Sequence, residues 1–149
     1  PPAAASPDGP PPPDASSPAP AVAAYRAAAS LLPGAGMPGL ERGLLPLALL
    51  SVGVVEGDFG PYEPWARPHV HLARGERGRA VAALNDVPDP PADLLQEALW
   101  ALTAGTAAAL NDRRTLERAR AHLAPAAEEL AGAGSGVLSF GPVAHYLGE

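Results

Sequence analysis

Cysteine is absent from this 149-residue chain, and so are lysine and isoleucine. The lack of cysteine excludes a disulfide framework, a thiolate zinc site and a cysteine nucleophile. The lack of lysine leaves all ten basic residues as arginine and removes the cation that a P-loop requires. Aromatic side chains are scarce, with two Trp, three Tyr and two Phe, and there is a single Met. Much of the 47% hydrophobic fraction is alanine, so any core is Leu, Ala and Val, as in helices whose backbones pack closely. No run approaches the ~18 apolar residues of a membrane-spanning helix, and the opening residues lack the basic and apolar regions of a signal peptide. A net charge of −6 and a pI near 5.1 give no basic footprint for displacing counterions from nucleic acid. The expectations are a cytoplasmic segment with no membrane association and no direct nucleic-acid contact of its own.

What the chain has in abundance is punctuation, 20 Pro and 16 Gly, in a composition that suits a GC-rich genome. Pro1–Pro20 is a Pro/Ala/Ser tract with no large apolar side chain to offset its ordering entropy, and reads as a disordered linker. Ala21–Leu32 reads as a short helix stopped by Pro33-Gly34. Beyond the Gly34–Gly39 loop, Leu40, Leu44, Leu47, Leu50 and Val54 recur at helical spacing, with Pro46 expected to kink or restart that helix. Leu47–Val55 is apolar enough for a buried strand, but its helical neighbours favour a buried helix.

After the Gly57–Pro61 breaker, a helix from Pro64 to Arg74 and a second from Glu76 to Leu84 form a first hairpin, turning at Gly75–Gly78. Asp86–Pro91 is a rigid connector, and Asp93 is a helix-start residue. A second hairpin follows, Asp93–Leu110 and Thr115–Leu130, turning at Asn111–Arg114. The Gly132–Gly136 loop and a short helix over Pro142–Leu147 close the chain. The expected architecture is all-α: a helical repeat domain over 21–149, a fragment cut at both ends, behind the linker at 1–20.

Chemistry-bearing residues are sparse and scattered. His69 and His71 are two apart, so on a helix they face different ways, and no third ligand accompanies them. His122 and His145 stand alone as surface or capping groups, and no nucleophile–base–orienter set can be assembled. The glycines of Gly132–Gly136 follow a helix instead of a strand, so they read as a helix stop, and Ser135 lacks the flanks of a nucleophile elbow. Glu128 and Glu129 are adjacent, about 100° apart on a helix, and form no catalytic pair. Trp65 and Trp100 read as the core anchors of their hairpins. Arg113, Arg114, Arg118 and Arg120 cluster at one end of the second hairpin, either as a solvated face paired with Asp112 and Glu117 or as the contact for an acidic partner segment. No catalytic residue, cofactor or metal site is expected.

Small residues at Ala107, Ala119 and Ala126, with Leu116 and Leu123 at large-residue positions, resemble a degenerate tetratricopeptide repeat over Pro91–Ala131. Four strings resemble a further family: Gly60–Pro68, Val87–Pro91, Glu97–Trp100 and Ala131–Gly148. In this order they are similar to the C-terminal helical region of actinobacterial transcriptional regulators that carry a bacterial transcriptional activator domain, the antibiotic regulatory protein family. The resemblance spans roughly Leu40–Gly148. It implies a non-enzymatic helical scaffold, a regulatory or oligomerisation module whose partner is another protein or a second copy. The winged helix of that family has no counterpart in these residues, so DNA binding is carried over to none of them. The alternative is a helical sensor domain with a small-molecule pocket between the Trp65 and Trp100 hairpins.

Overall fold

The computed structural model describes residues 17–31 and 42–148. The described residues are all-α, with no β-strand and one isolated antiparallel bridge between Leu130 and Pro142. The helices are α1 (Ala19–Ala29), α2 (Leu44–Leu50), α3 (Glu63–Ala73), α4 (Arg77–Asn85), α5 (Gln96–Leu110), α6 (Arg113–Leu123) and α7 (Val143–Leu147). Most of the expected Pro1–Pro20 linker lies outside the described residues, as do the Gly34–Gly39 loop and Leu40. The linker boundary itself needs correction. Helix α1 begins at Ala19 and accommodates Pro20 in its first turn, where a missing backbone N–H leaves no bond unmade.

Helix α2 is shorter than its leucine spacing suggested. Gly43 starts it at φ 86°, and a Cβ there would clash with the Phe59 carbonyl oxygen, so only glycine fits. Pro46 sits in the first turn of a helix that begins at Leu44, the first-turn placement expected of it. The helix stops at Leu50, and Ser51–Gly53 turns the chain away, so the apolar stretch to Val55 is neither strand nor continuous helix.

The first hairpin, α3 with α4, and the second, α5 with α6, both form, with tighter turns than expected because Arg77 and Gly78 already belong to α4 and Arg113 and Arg114 to α6; α5 also packs on α3 and α4. Helix α5 is therefore central, with neighbours on several sides, and Ala98, Leu99, Trp100, Ala101, Leu102, Thr103 and Ala104 are buried in succession. Its two buried hydroxyls turn back on their own helix: Thr103 donates to the Leu99 carbonyl at 2.8 Å and Thr106 to the Leu102 carbonyl at 2.9 Å.

Boundaries moved farther at two other places. Asp93 lies a turn upstream of α5, where its carboxylate accepts from the Leu95 amide at 2.9 Å. Helix α6 ends at Leu123 instead of Leu130 because Pro125 cannot donate, and a 3-10 turn over Ala124–Ala126 takes over. The short helix α7 packs on α5 and α6. The loop before it is fixed by a close approach: a Cβ on Gly132 would sit 2.9 Å from the Ala98 Cβ of α5. None of the helices is long and apolar enough to cross a membrane, among the described residues.

Candidate functional site

The four arginines of α6 do not form one patch. Residues seven apart nearly repeat their direction on a helix, and residues four apart lie one turn along the same side. Arg113 and Arg120 accordingly share one groove with Ala108, Asn111, Leu116 and Glu117, about 430 Å³ in volume. Arg114 and Arg118 share another, about 310 Å³, with Leu84, Asn85, Val87, Asp112 and Thr115. The second groove lies between α4, the connector after it and α6.

The two arginines on the first face are engaged. Arg113 approaches Glu117 at 3.8 Å, a solvent-exposed pair of little energetic consequence. Arg120 donates through Nε to the Tyr146 carbonyl at 2.9 Å, so it caps the end of α7. On the second face, Arg118 approaches the Asp89 carboxylate and the Val87 carbonyl, each at 3.5 Å. Its guanidinium also lies 5.6 Å from the Trp100 ring centroid, within cation–π range. Arg114 makes no ion pair among the described residues. The nearby Asp112 carboxylate caps α6, accepting from the Thr115 hydroxyl at 2.7 Å and the Thr115 amide at 3.1 Å. Those hydrogen bonds, the hydroxyl's first, hold the Asp112 carboxyl below its ordinary value.

Both tryptophans are buried, as expected. Trp65 donates its indole N–H to the Pro88 carbonyl at 3.0 Å. Trp100 is 1% exposed and its N–H has no partner among the described residues. The His122 ring covers Trp100 in a stack with centroids 4.2 Å apart and planes within 9°. The sequence treated His122 as a solitary histidine, although it stands four residues after Arg118 and eight after Arg114. That spacing places Arg114, Arg118 and His122 on one side of α6, and it was the available signal. A second residue missed is Arg77 of α4, which reaches the Ala109 and Leu110 carbonyls at 3.3 Å and caps the C-terminus of α5.

His69 and His71 do not converge. Burial alone lowers the His69 pKa, while His71 turns its Nδ1 to Glu76 at 3.2 Å. No group of three or more His, Asp or Glu side chains is placed to hold a metal ion among the described residues. In the Gly132–Gly136 loop the Ser135 hydroxyl donates to the Gly132 carbonyl at 2.6 Å, and Gly132 packs on Ala98.

No protein-family model matches the chain, and no significant match arises among curated proteins or solved structures.

Proposed function

We propose that this segment is a non-enzymatic scaffold, a regulatory or self-association module of a bacterial transcriptional regulator, built from tetratricopeptide-like helical hairpins. The observation that carries the reading is the stacking of successive antiparallel pairs. Helix α5 packs simultaneously on its own partner α6 and on α3 and α4 of the preceding pair. Such stacking spends its apolar faces on a continuous core and leaves elongated grooves outside. The grooves here are bordered by the α6 arginines. Surface of this kind suits a protein partner or a second copy of the chain.

The small-molecule sensor is the second reading. One feature favours it: the groove of about 310 Å³ lies between the hairpins, at the lower end of the roughly 300–1,000 Å³ range of ligand pockets. Its lining, with Asn85, Asp112, Arg114, Thr115 and Arg118, is more polar than such pockets usually are, and neither tryptophan borders it. The module reading is therefore preferred.

The deciding experiment is to sequence the coding DNA on both sides of this segment. A winged-helix DNA-binding domain in the same reading frame is expected. A frame that supplies a catalytic domain and no DNA-binding module would overturn the proposal.

A further inference from the structure

Arg114, Arg118 and His122 line up along α6, and each step of four residues advances about 6 Å at 1.5 Å per residue. In an extended strand, alternate side chains point the same way and recur every ~6.7 Å. The two spacings agree to within the reach of a flexible guanidinium. We infer that this side of α6 is a docking site for an acidic partner segment bound in extended conformation, with carboxylates at alternate residues meeting Arg114 and Arg118.

Charge and geometry support that occupant together. Arg114 makes no ion pair among the described residues, although its charge helps hold the Asp112 carboxyl low, and the carboxylate on Arg118 comes from Asp89, at 3.5 Å and with its side chain 63% exposed. Asp89 belongs to the connector segment Asp86–Pro91, which lies along the groove and places the Val87 carbonyl on Arg118 as well. The chain thus supplies an internal example of the ligand chemistry, a carboxylate and a backbone carbonyl on one guanidinium. That contact is exposed enough to be exchanged. The nearest opposing charge, Asp112, is turned onto the first turn of its own helix by Thr115. The Trp100 ring behind Arg118 holds the guanidinium in place without consuming its donors.

The inference rests on the interaction-module reading and has its own test. The probe is a capped pentapeptide, Ser-Glu-Thr-Glu-Ser, compared with its isomer Ser-Glu-Glu-Thr-Ser. Both carry the same charge, but the adjacent carboxylates of the isomer face opposite ways in an extended chain. Binding is followed through the Arg118 Nε–H and Trp100 indole N–H resonances. The alternate peptide should shift both resonances and bind at least about threefold more tightly than the isomer, the difference one exposed ion pair supplies. Arg114→Gln and Arg118→Gln should each weaken binding by about the same factor, with Arg67→Gln on α3 as the neutral control. Asp89→Asn should tighten binding, because it removes the internal competitor. Equal binding of the two isomers to the unaltered protein would overturn the inference, independently of whether any variant folds. So would an absence of binding, or an equal response to a short oligothymidylate, which would indicate a generic polyanion surface. A winged helix in the reading frame together with no peptide binding would remove the docking site and leave the module reading standing.

Discussion

In the first hairpin Trp65 is held by a hydrogen bond to Pro88, whereas in the second Trp100 is buried more deeply and its N–H is unpaired among the described residues. The helices that complete the hairpins differ too. Helix α4 buries Ala80 and Leu84 and has no side-chain cap at its N-terminus. Helix α6 buries Ala119 and Leu123 and is capped by Asp112. One hairpin is tied by a polar bond to its connector, the other by volume and close approach. The comparison teaches where each should be fragile: the first in its connector, the second in its core.

The largest effect is expected at Trp100. It shares a cluster with Ala101, Ala104, Ala119, Leu123, Ala126, Ala131 and Val143, drawn from α5, α6, α7 and the loops between. Trp100→Ala should destabilise by roughly 3–5 kcal/mol, the usual range for a buried aromatic. Chemical denaturation measures it, and a loss below about 1 kcal/mol would show that volume does not hold the second hairpin.

Next comes the small-residue seam. The small-residue positions Ala107 and Ala119 do not share one cluster: Ala119 clusters with Trp100, Ala101 and Ala104, while Ala107 belongs to the core shared with the first hairpin. An antiparallel pair turning at Asn111–Asp112 sets Ala104 opposite Ala119 and Ala107 opposite Leu116. Ala119→Leu should overpack this seam and cost about 1–3 kcal/mol. Ala121→Leu, at an exposed site two residues on, should change stability by only tenths, because leucine forms helix nearly as well as alanine. Equal thermal midpoints for the two variants would contradict the close approach.

The hairpins were legible because their signals are local. Leu/Ala spacing, the turn at Gly75 and the turn at Asn111–Asp112 each act within a few residues. Pro125 was equally visible, yet the sequence reading ran the second helix of that hairpin through it to Leu130. The missed features are the long-range ones. Nothing local reveals that Gly43 must pass the Phe59 carbonyl, that Arg77 caps a helix more than thirty residues away, or that His122 lies on Trp100. The arginine cluster was read from adjacency in sequence, and helical geometry divides it between two grooves.

A smaller effect distinguishes the two N-termini. Asp112→Ala should cost about 1 kcal/mol through loss of the α6 cap, whereas α4 has no such bond to lose. The pH dependence follows from the depressed Asp112 pKa. Its contribution is present above the unfolded value near 3.9 and is lost as pH falls through the lower folded value. Acid titration of stability should therefore show a component below about pH 4 that is absent from Asp112→Ala. An unchanged acid profile would indicate that the cap contributes nothing in solution.

The smallest effect tests the contrast between the tryptophans directly. Trp65→Phe removes ring volume and also the hydrogen bond to the Pro88 carbonyl. Trp100→Phe removes similar volume but deletes a buried N–H that has no partner, and relief of that desolvation offsets part of the loss. The first substitution should therefore be the more damaging by about 1 kcal/mol, even though Trp100 is the more buried ring, 1% exposed against 7% for Trp65. Burial alone predicts the reverse order. Urea midpoints for the two variants, compared at equal slopes, decide between them. If Trp100→Phe is the more destabilised, the indole N–H is satisfied in solution, and the second hairpin relies on a polar bond as the first does.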